Sequence, residues 1–195
     1  MPGMSASTFG DSVIKLLLAL HSFDRIPRAG FLLRGVTEPE SLAAHSHALA
    51  LLVCLVAPKC SPPVNVLDAA RMALIHDLPE AMTMDIPMPV GGAAFRKAKT
   101  EEEIAIFGGI FNGQDGEWKD LFLKFQEGSC PEAALVRGLD KVQMMIKVLG
   151  YEREGRGRLE EFWQHKENFR DYGIPVVKEL FDDIFRTAGR KRPPE

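Results

Sequence analysis

The stretch "MALIHDLPEA", residues 72–81, places a histidine and an aspartate side by side within an apolar run of helical character. His76 and Asp77 are followed one helical turn later by Glu80. A protein core excludes such groups unless they are paired or bound to a metal ion. Adjacent residues of a helix point about 100° apart, so we expect the two side chains to meet only at an object beside the helix, such as an ion.

Apolar residues recur at helical rather than alternating spacing along most of the chain, which predicts an all-α fold. The first helix is expected to be capped by Asp11 or Ser12, and a second to run from near Ser41 to just before Pro58. A long helix is expected at 129–152, where Ser129 is a candidate cap followed by proline in the first turn. The other helices are predicted at about residues 64–82, 95–111, 118–125, 158–169 and 175–188.

The composition is that of an ordinary globular protein, with 46% hydrophobic and 26% charged residues over 195 positions. Because no repeat or long linker divides the chain, residues 1–195 are predicted to form one domain. The net charge of −3 gives no electrostatic drive towards nucleic acid or a membrane surface, and neither partner is predicted. Three cysteines without paired spacing fit a reducing cytoplasm, and Cys54 is expected in the core. The basic tail at 186–192 is expected to be solvated and frayed.

Two further polar residues interrupt apolar helices elsewhere in the chain. His45 lies in the helix before the His-Asp pair, and Asp140 lies in a later helix. Burying two imidazoles and two carboxylates without partners is costly, whereas one divalent cation would satisfy all of them. We therefore expect a metal site with four ligands, namely His45, His76, Asp77 and Asp140. A metal-free core with hydrogen-bonded pairs is the alternative. His47 faces the opposite side of its helix and is not expected to bind the ion.

Three motifs together resemble the HD-domain metal-dependent phosphohydrolases. They are "PESLAAHSHALAL", "MALIHDLPEAMTMDIP" and "LDKVQMM", which follow the H…HD…D order of that superfamily. The stretch "RIPRAGFLLRGVTEPESLAAHS" narrows the resemblance to the small 5'-deoxynucleotidase branch, and the match covers about residues 25–152. The resemblance implies an HD-domain helical bundle, the four ligands named above, and hydrolysis of deoxynucleoside 5'-monophosphates to deoxynucleosides and phosphate.

The same resemblance implies roles for residues around the metal site. It puts Glu80 and Asp85 beside the water and the substrate. It puts Arg28 in the nucleotide pocket, where this residue favours a sugar without a 2'-hydroxyl. The branch usually has tryptophan where Phe31 stands and glycine where Met84 stands. We expect Phe31 to stack or pack in the pocket, and Met84 to give the loop before Asp85 a different shape.

The chemistry of a phosphate ester suggests how these residues would act. Asp77 is placed to bind both the metal and the attacking water, and Glu80 is the candidate proton-transfer group. Lys141, next to Asp140, either contacts the phosphate or extends into solvent. Two imidazoles and two carboxylates accept Co, Mn, Ni, Fe, Zn or Mg, so the ion is not identified. The acidic run at 100–103 is expected to be a solvated helix start.

The leading hypothesis is therefore a cytoplasmic, metal-dependent enzyme that acts on a small nucleotide. One alternative keeps the same site but hydrolyses another phosphoester, such as a nucleoside triphosphate or a cyclic nucleotide. Another alternative is a regulatory module that binds metal without turnover. Members of the branch are commonly dimers, and the apolar helices of this chain are compatible with a homodimer.

Overall fold

The computed structural model describes residues 8–87, 92–112, 114 and 116–192, and the regular structure of these residues is helical, which confirms the predicted all-α fold. Short 3₁₀ segments at Ala57–Lys59 and Lys166–Phe169 follow the third and ninth helices. The α-helices in chain order are α1 (Phe9–Ala19), α2 (Ala29–Leu32), α3 (Leu42–Val56), α4 (Val66–Ile75), α5 (Glu80–Thr83), α6 (Ala93–Ile110), α7 (Gly116–Glu127), α8 (Pro131–Arg153), α9 (Glu160–Gln164) and α10 (Pro175–Ala188).

Helices α3, α4 and α8 pack against one another at the centre of the fold, and α10 packs on α8. Buried side chains such as Leu49, Met72 and Leu139 place all three central helices in one core cluster. Burial of each such side chain is worth about 1.5–3 kcal/mol. By length and composition alone, Leu42–Lys59 is apolar enough to cross a membrane, but its α3 part is a central helix here. Cys54, expected in the core, is instead exposed on α3.

One of three predicted helix starts agrees with the structure, and the other two differ from it. Helix α3 begins directly after Ser41, close to the predicted start, and the Ser41 side chain accepts from the backbone N–H of residue 44. The cap of α1 is Thr8, and Asp11 lies in the first turn, where its carboxylate accepts from the backbone of Thr8. The residue at the N-cap position of α8 is Cys130 rather than Ser129; its side chain makes no cap hydrogen bond, and proline follows in the first turn. Reciprocal bonding between Thr8 and Asp11 explains the earlier start of α1.

The largest difference from prediction lies at residues 64–82, where one expected helix is two. Helix α4 ends at Ile75, His76 is its C-cap residue, and α5 begins at Glu80. Pro79 has no N–H to donate to the carbonyl of Ile75, so the α-helix cannot continue through it. Instead, Leu78 donates to that carbonyl at 3.1 Å and closes a turn. The His-Asp pair therefore lies at a helix end, and not within a helix.

The described part of the basic tail is docked rather than frayed. The guanidinium of Arg190 lies 4.7 Å from the ring centroid of Trp163 and forms an ion pair with Glu152 at 3.3 Å. Arg192 donates to the backbone carbonyl of Phe169 at 3.3 Å. These contacts fasten the residues after α10 to α9 and to the 3₁₀ segment that follows it.

Candidate active site

The central helices bring two imidazoles and two carboxylates together. Nε2 of His45 on α3 lies 3.2 Å from Oδ1 of Asp140 on α8 and 3.7 Å from Oδ2 of Asp77. Nε2 of His76 lies 3.0 Å from the same oxygen of Asp77. One ligand atom each from His45, His76 and Asp140 lies within 4.8 Å of the others. Ligands bound to a single ion at about 2.1 Å are roughly 3–4 Å apart, so this cluster indicates a divalent metal site.

Hydrogen bonds behind each imidazole leave its other nitrogen free for a metal. Nδ1 of His45 contacts Oε1 of Gln143 at 2.8 Å, and Nδ1 of His76 contacts the carbonyl oxygen of Ala73 at 2.9 Å. Both partners are acceptors, so Nδ1 carries a proton and Nε2 is the nitrogen that faces the cluster and would bind a metal. Among the described residues, both Nε2 atoms and Oδ1 of Asp140 are buried without a hydrogen-bond partner. This donor set fits a divalent cation. His47 is exposed, as expected for a residue outside the site.

The residues that orient His45 were missed in the sequence. The side-chain amide of Gln143 donates to Oε2 of Glu40 at 2.9 Å, which fixes its oxygen towards His45. The ammonium of Lys147 lies 3.8 Å from the same carboxylate oxygen. One feature of the sequence could have identified Gln143. It lies three residues after Asp140, on the same face of an apolar helix. Gln143 and Glu40 therefore form a buried support behind one predicted ligand.

Replacing Gln143 with methionine keeps the side-chain volume but removes the acceptor for Nδ1 of His45. We expect affinity for Mn²⁺ to fall by about 10- to 100-fold, because the imidazole loses its fixed orientation. Isothermal titration of the metal-free protein with Mn²⁺ measures this effect. Gln164→Met, the same change at an exposed position of α9, is the control and should bind as wild type does. Unchanged affinity in Gln143→Met would show that this support is dispensable.

Cationic side chains offset the charge of the two carboxylates. Nη1 of Arg28 donates to Oδ2 of Asp77 at 3.3 Å, and its Nη2 lies 3.9 Å from Oδ1 of Asp140. Nζ of Lys141 lies 3.5 Å from Oδ2 of Asp140. Burial would raise the pKa of both carboxyls, but His76 beside Asp77 and Lys141 beside Asp140 hold each pKa below its usual range. Both groups are therefore ionised, as metal ligands must be.

Glu80 is the first residue of α5 and is buried beside the cluster. Its Oε1 accepts from Nζ of Lys99 on α6 at 3.1 Å, whereas its Oε2 has no hydrogen-bond partner in the described parts of the chain. Burial and the charge of Asp77 raise the pKa of Glu80, and Lys99 opposes this rise. Lys99 also pairs with Glu103, which is buried. The expectation that residues 100–103 form a solvated helix start is therefore wrong, because α6 begins at Ala93 and Glu103 is buried, although residues 101 and 102 are exposed.

A cavity of about 370 Å³ opens beside the cluster. Its lining includes all four residues predicted to bind substrate, which are Arg28, Phe31, Asp85 and Lys141. Phe31 is buried and stacks on Phe162 with ring centroids 5.3 Å apart, so the expected packing of this ring is confirmed. The lining also includes side chains from α9 and the segment after it, which are Phe162, His165, Asn168 and Tyr172. Charged groups and aromatic faces thus share one cavity.

The loop before Asp85 contains a strained residue. Met84 has φ +66° and ψ 165°, a conformation that glycine adopts easily and that side chains with a Cβ rarely adopt. The carboxylate of Asp85 nevertheless accepts from the backbone N–H of Ala29 at 2.6 Å, at the start of α2. The methionine therefore takes a glycine-type conformation at the point where the loop turns towards the cavity.

Met84→Gly is expected to stabilise the protein by about 1 kcal/mol. Relief of the backbone strain, worth roughly 1–3 kcal/mol, exceeds the entropic cost of a glycine, about 0.5–1 kcal/mol. The lost side chain is 54% exposed and contributes little burial. Urea unfolding measures the change as a higher midpoint at an unchanged slope. Thr83→Gly, one residue earlier at the end of α5, is the control and should destabilise. A lower urea midpoint for Met84→Gly than for wild type would contradict the presence of backbone strain at Met84.

Comparison with known proteins agrees with this geometry. A family model described as "HD domain" matches residues 22–177. The 5'-deoxynucleotidase hdd1 of Schizosaccharomyces pombe is 30% identical over 185 residues, which cover 90% of this chain and 89% of that protein. The 5'-deoxynucleotidase HDDC2 of Danio rerio is 29% identical over 161 residues, covering 80% and 79%. A conserved hypothetical protein from Pyrococcus furiosus has a solved structure with a TM-score of 0.71 and 31% identity, covering 89% and 99%. With most of its length matched, this chain belongs to the HD domain family.

Proposed function

We propose that this protein is a divalent-metal-dependent 5'-deoxynucleotidase, which releases phosphate from deoxynucleoside 5'-monophosphates. The observation that carries the proposal is a cluster of buried imidazole nitrogens that face two carboxylates at the wall of a cavity and have no hydrogen-bond partner among the described residues. Matches to curated proteins named 5'-deoxynucleotidase over most of the chain support the substrate class.

The metal ligands of the proposal are His45, His76, Asp77 and Asp140. A divalent cation held by them would lower the pKa of a water from near 16 towards about 7 and offset charge on the phosphate. Two imidazoles and two carboxylates suit Co, Mn, Ni, Fe, Zn or Mg, and availability decides among them.

The remaining charged residues of the cavity match the needs of phosphate hydrolysis. Lys141 and Arg28 present cationic groups to a phosphate dianion, and charge-assisted hydrogen bonds to phosphate are strong. Oδ2 of Asp77 accepts a hydrogen bond from the water that attacks phosphorus. Glu80, whose pKa is raised, holds a proton on Oε2 and donates it to the 5'-oxygen as the P–O bond breaks. The attacking water loses one proton to solvent and Glu80 regains one from solvent afterwards, so the products are a deoxynucleoside and inorganic phosphate with no net change in protons.

The aromatic part of the cavity supports a nucleoside as the leaving group. A volume of about 370 Å³ lies within the usual range of small-ligand pockets. Phe162 and Tyr172 bring aromatic rings to the cavity wall, where a base can pack against them, and contacts of a base with aromatic rings are worth up to about 1–3 kcal/mol. Arg28 and Phe31 are the residues proposed to select a sugar without a 2'-hydroxyl, and Asp85 is proposed to contact the sugar. A cytoplasmic location and a homodimer stay predictions.

Phosphate release from a substrate panel tests the proposal. The metal-free protein is reloaded with Co²⁺, Mn²⁺ or Mg²⁺ and given deoxynucleoside and ribonucleoside monophosphates, triphosphates, cyclic nucleotides and a simple aryl phosphate. We expect deoxynucleoside monophosphates to be preferred by at least about tenfold in kcat/KM, as differential contacts worth about 1.4 kcal/mol would give. Turnover confined to triphosphates or cyclic nucleotides would favour the alternative substrates. Metal binding without any turnover would favour a regulatory module.

A further inference from the structure

A buried ionic network lies behind Glu80, outside the metal cluster. Nζ of Lys99 contacts Oε1 of Glu80 at 3.1 Å and also pairs with Oε1 of Glu103 one helical turn further along α6. The other oxygen of Glu103 accepts from the side-chain amide of Gln126 on α7 at 3.4 Å. The network therefore links α5, α6 and α7.

The network is costly for stability alone. The side chains of Glu80 and Glu103 are only 8% and 9% exposed, and one ammonium serves both carboxylates. Desolvation of a buried ion pair offsets most of its attraction, and well-packed apolar residues are often as stable or more so. A role beyond stability is thus worth seeking in the residue that the network contacts.

The two carboxyl oxygens of Glu80 have different surroundings. Lys99 occupies Oε1 and is itself held by Glu103, so the carboxylate has a fixed rotation about its own bond. Oε2 is buried and has no hydrogen-bond partner within the described residues, and Glu80 lines the cavity. The free oxygen is therefore the one that can carry the proton donated to the leaving oxygen of the substrate.

We propose that Lys99, held by Glu103, is a positioning residue that fixes the carboxyl group of Glu80 so that Oε2 faces the scissile ester. This inference rests on the proposed function, since it assigns the support of the proton donor in that reaction. Gln126 completes the support by fixing Glu103. Neither Lys99 nor Glu103 touches the substrate.

Lys99→Met tests the inference through the separation of kcat from KM. We expect kcat for a deoxynucleoside monophosphate to fall by about 10- to 100-fold, since small misplacements of a catalytic group have effects of this size. KM and Mn²⁺ affinity should stay within about threefold, because the metal and phosphate contacts remain. Lys99→Arg, which keeps a cation, should recover most of kcat. Lys97→Met, on the exposed face of the same helix, is the matched control.

A second variant keeps the test valid if Lys99→Met fails to fold, because that change leaves the buried carboxylate of Glu103 without a cation. Lys99→Met combined with Glu103→Gln removes both charges of the pair and should show the same loss of kcat. The decisive measurement adds Lys99→Met to Glu80→Gln. If Lys99 acts through Glu80, the added change should lower kcat by less than about twofold, since coupled residues are not additive.

The outcomes separate this inference from the proposed function. An active wild type with a Lys99→Met variant that keeps kcat within threefold would overturn the inference alone. The inference would also be overturned if Lys99→Met lowered kcat in the Glu80→Gln variant by the same factor as in wild type. A wild type that hydrolyses no phosphomonoester with any metal would overturn the proposed function, and the positioning role with it.

Discussion

Asp140→Asn is expected to lower metal-dependent kcat/KM by at least about 1000-fold. The substitution keeps the shape of the side chain but removes one of two anionic ligands from the cluster around His45 and His76. A metal that polarises phosphate and water supplies several kcal/mol of transition-state stabilisation, and each 1.36 kcal/mol is a factor of ten. Loss of the ion removes that contribution entirely.

The same variant has a second readout that needs no substrate. A ligand present at 100 times its Kd stabilises a folded protein by about 2.7 kcal/mol, so Mn²⁺ should raise the Tm of wild type. Asp140→Asn should lose this shift while the metal-free protein stays folded. Asp120→Asn, on the exposed surface of α7, makes the same chemical change and should keep both activity and shift. A metal-induced shift of wild-type size in Asp140→Asn would rule out Asp140 as a ligand.

Glu80→Gln is expected to lower kcat by about 10²- to 10⁴-fold while the protein keeps its metal. An amide fills the same space and still accepts from Lys99, but it cannot donate a carboxylic proton to the leaving 5'-oxygen. Proton transfer by a positioned side chain contributes an effect of this size. Single-turnover phosphate release and elemental analysis of the same sample give the two quantities.

The Glu80 variant also separates an enzyme from a binding module. Glu127→Gln, at an exposed position of α7, is the control and should be indistinguishable from wild type. A Glu80→Gln protein with wild-type kcat would mean that another group protonates the leaving oxygen. Loss of metal together with kcat would instead assign Glu80 to the coordination of the ion.

The sequence predicted the helices and the cluster well because both depend on simple patterns. Helical spacing of apolar residues reveals which segments pack around a core. A polar residue inside such a segment, as with His45 or Asp140, is conspicuous because burial without a partner is costly. Both signals are local, and the common location of the predicted ligands then follows from the packing of α3, α4 and α8.

The remaining features depend on contacts between distant segments. In the sequence, Gln143 and Lys99 look like ordinary polar residues of helices. Their partners Glu40 and Glu80 lie in other segments of the chain. The break after α4 is different, because Pro79 was visible and its missing N–H predicts an interruption. The prediction of one continuous helix over residues 64–82 relied on the apolar spacing and did not take account of Pro79.

The docked tail links the end of the chain to the shape of the pocket. Arg190 and Arg192 hold α9 and the 3₁₀ segment, and this region contributes Phe162, Asn168 and the intervening His165 to the cavity. Proteolytic trimming after Gly189 would remove both arginines without touching a single cavity residue. We expect binding of the nucleoside to weaken although no cavity residue is lost. Binding of the metal ion by residues at α3, α4 and α8 should persist. A sample cleaved at this point is expected to bind metal normally and to bind a deoxynucleoside monophosphate less tightly.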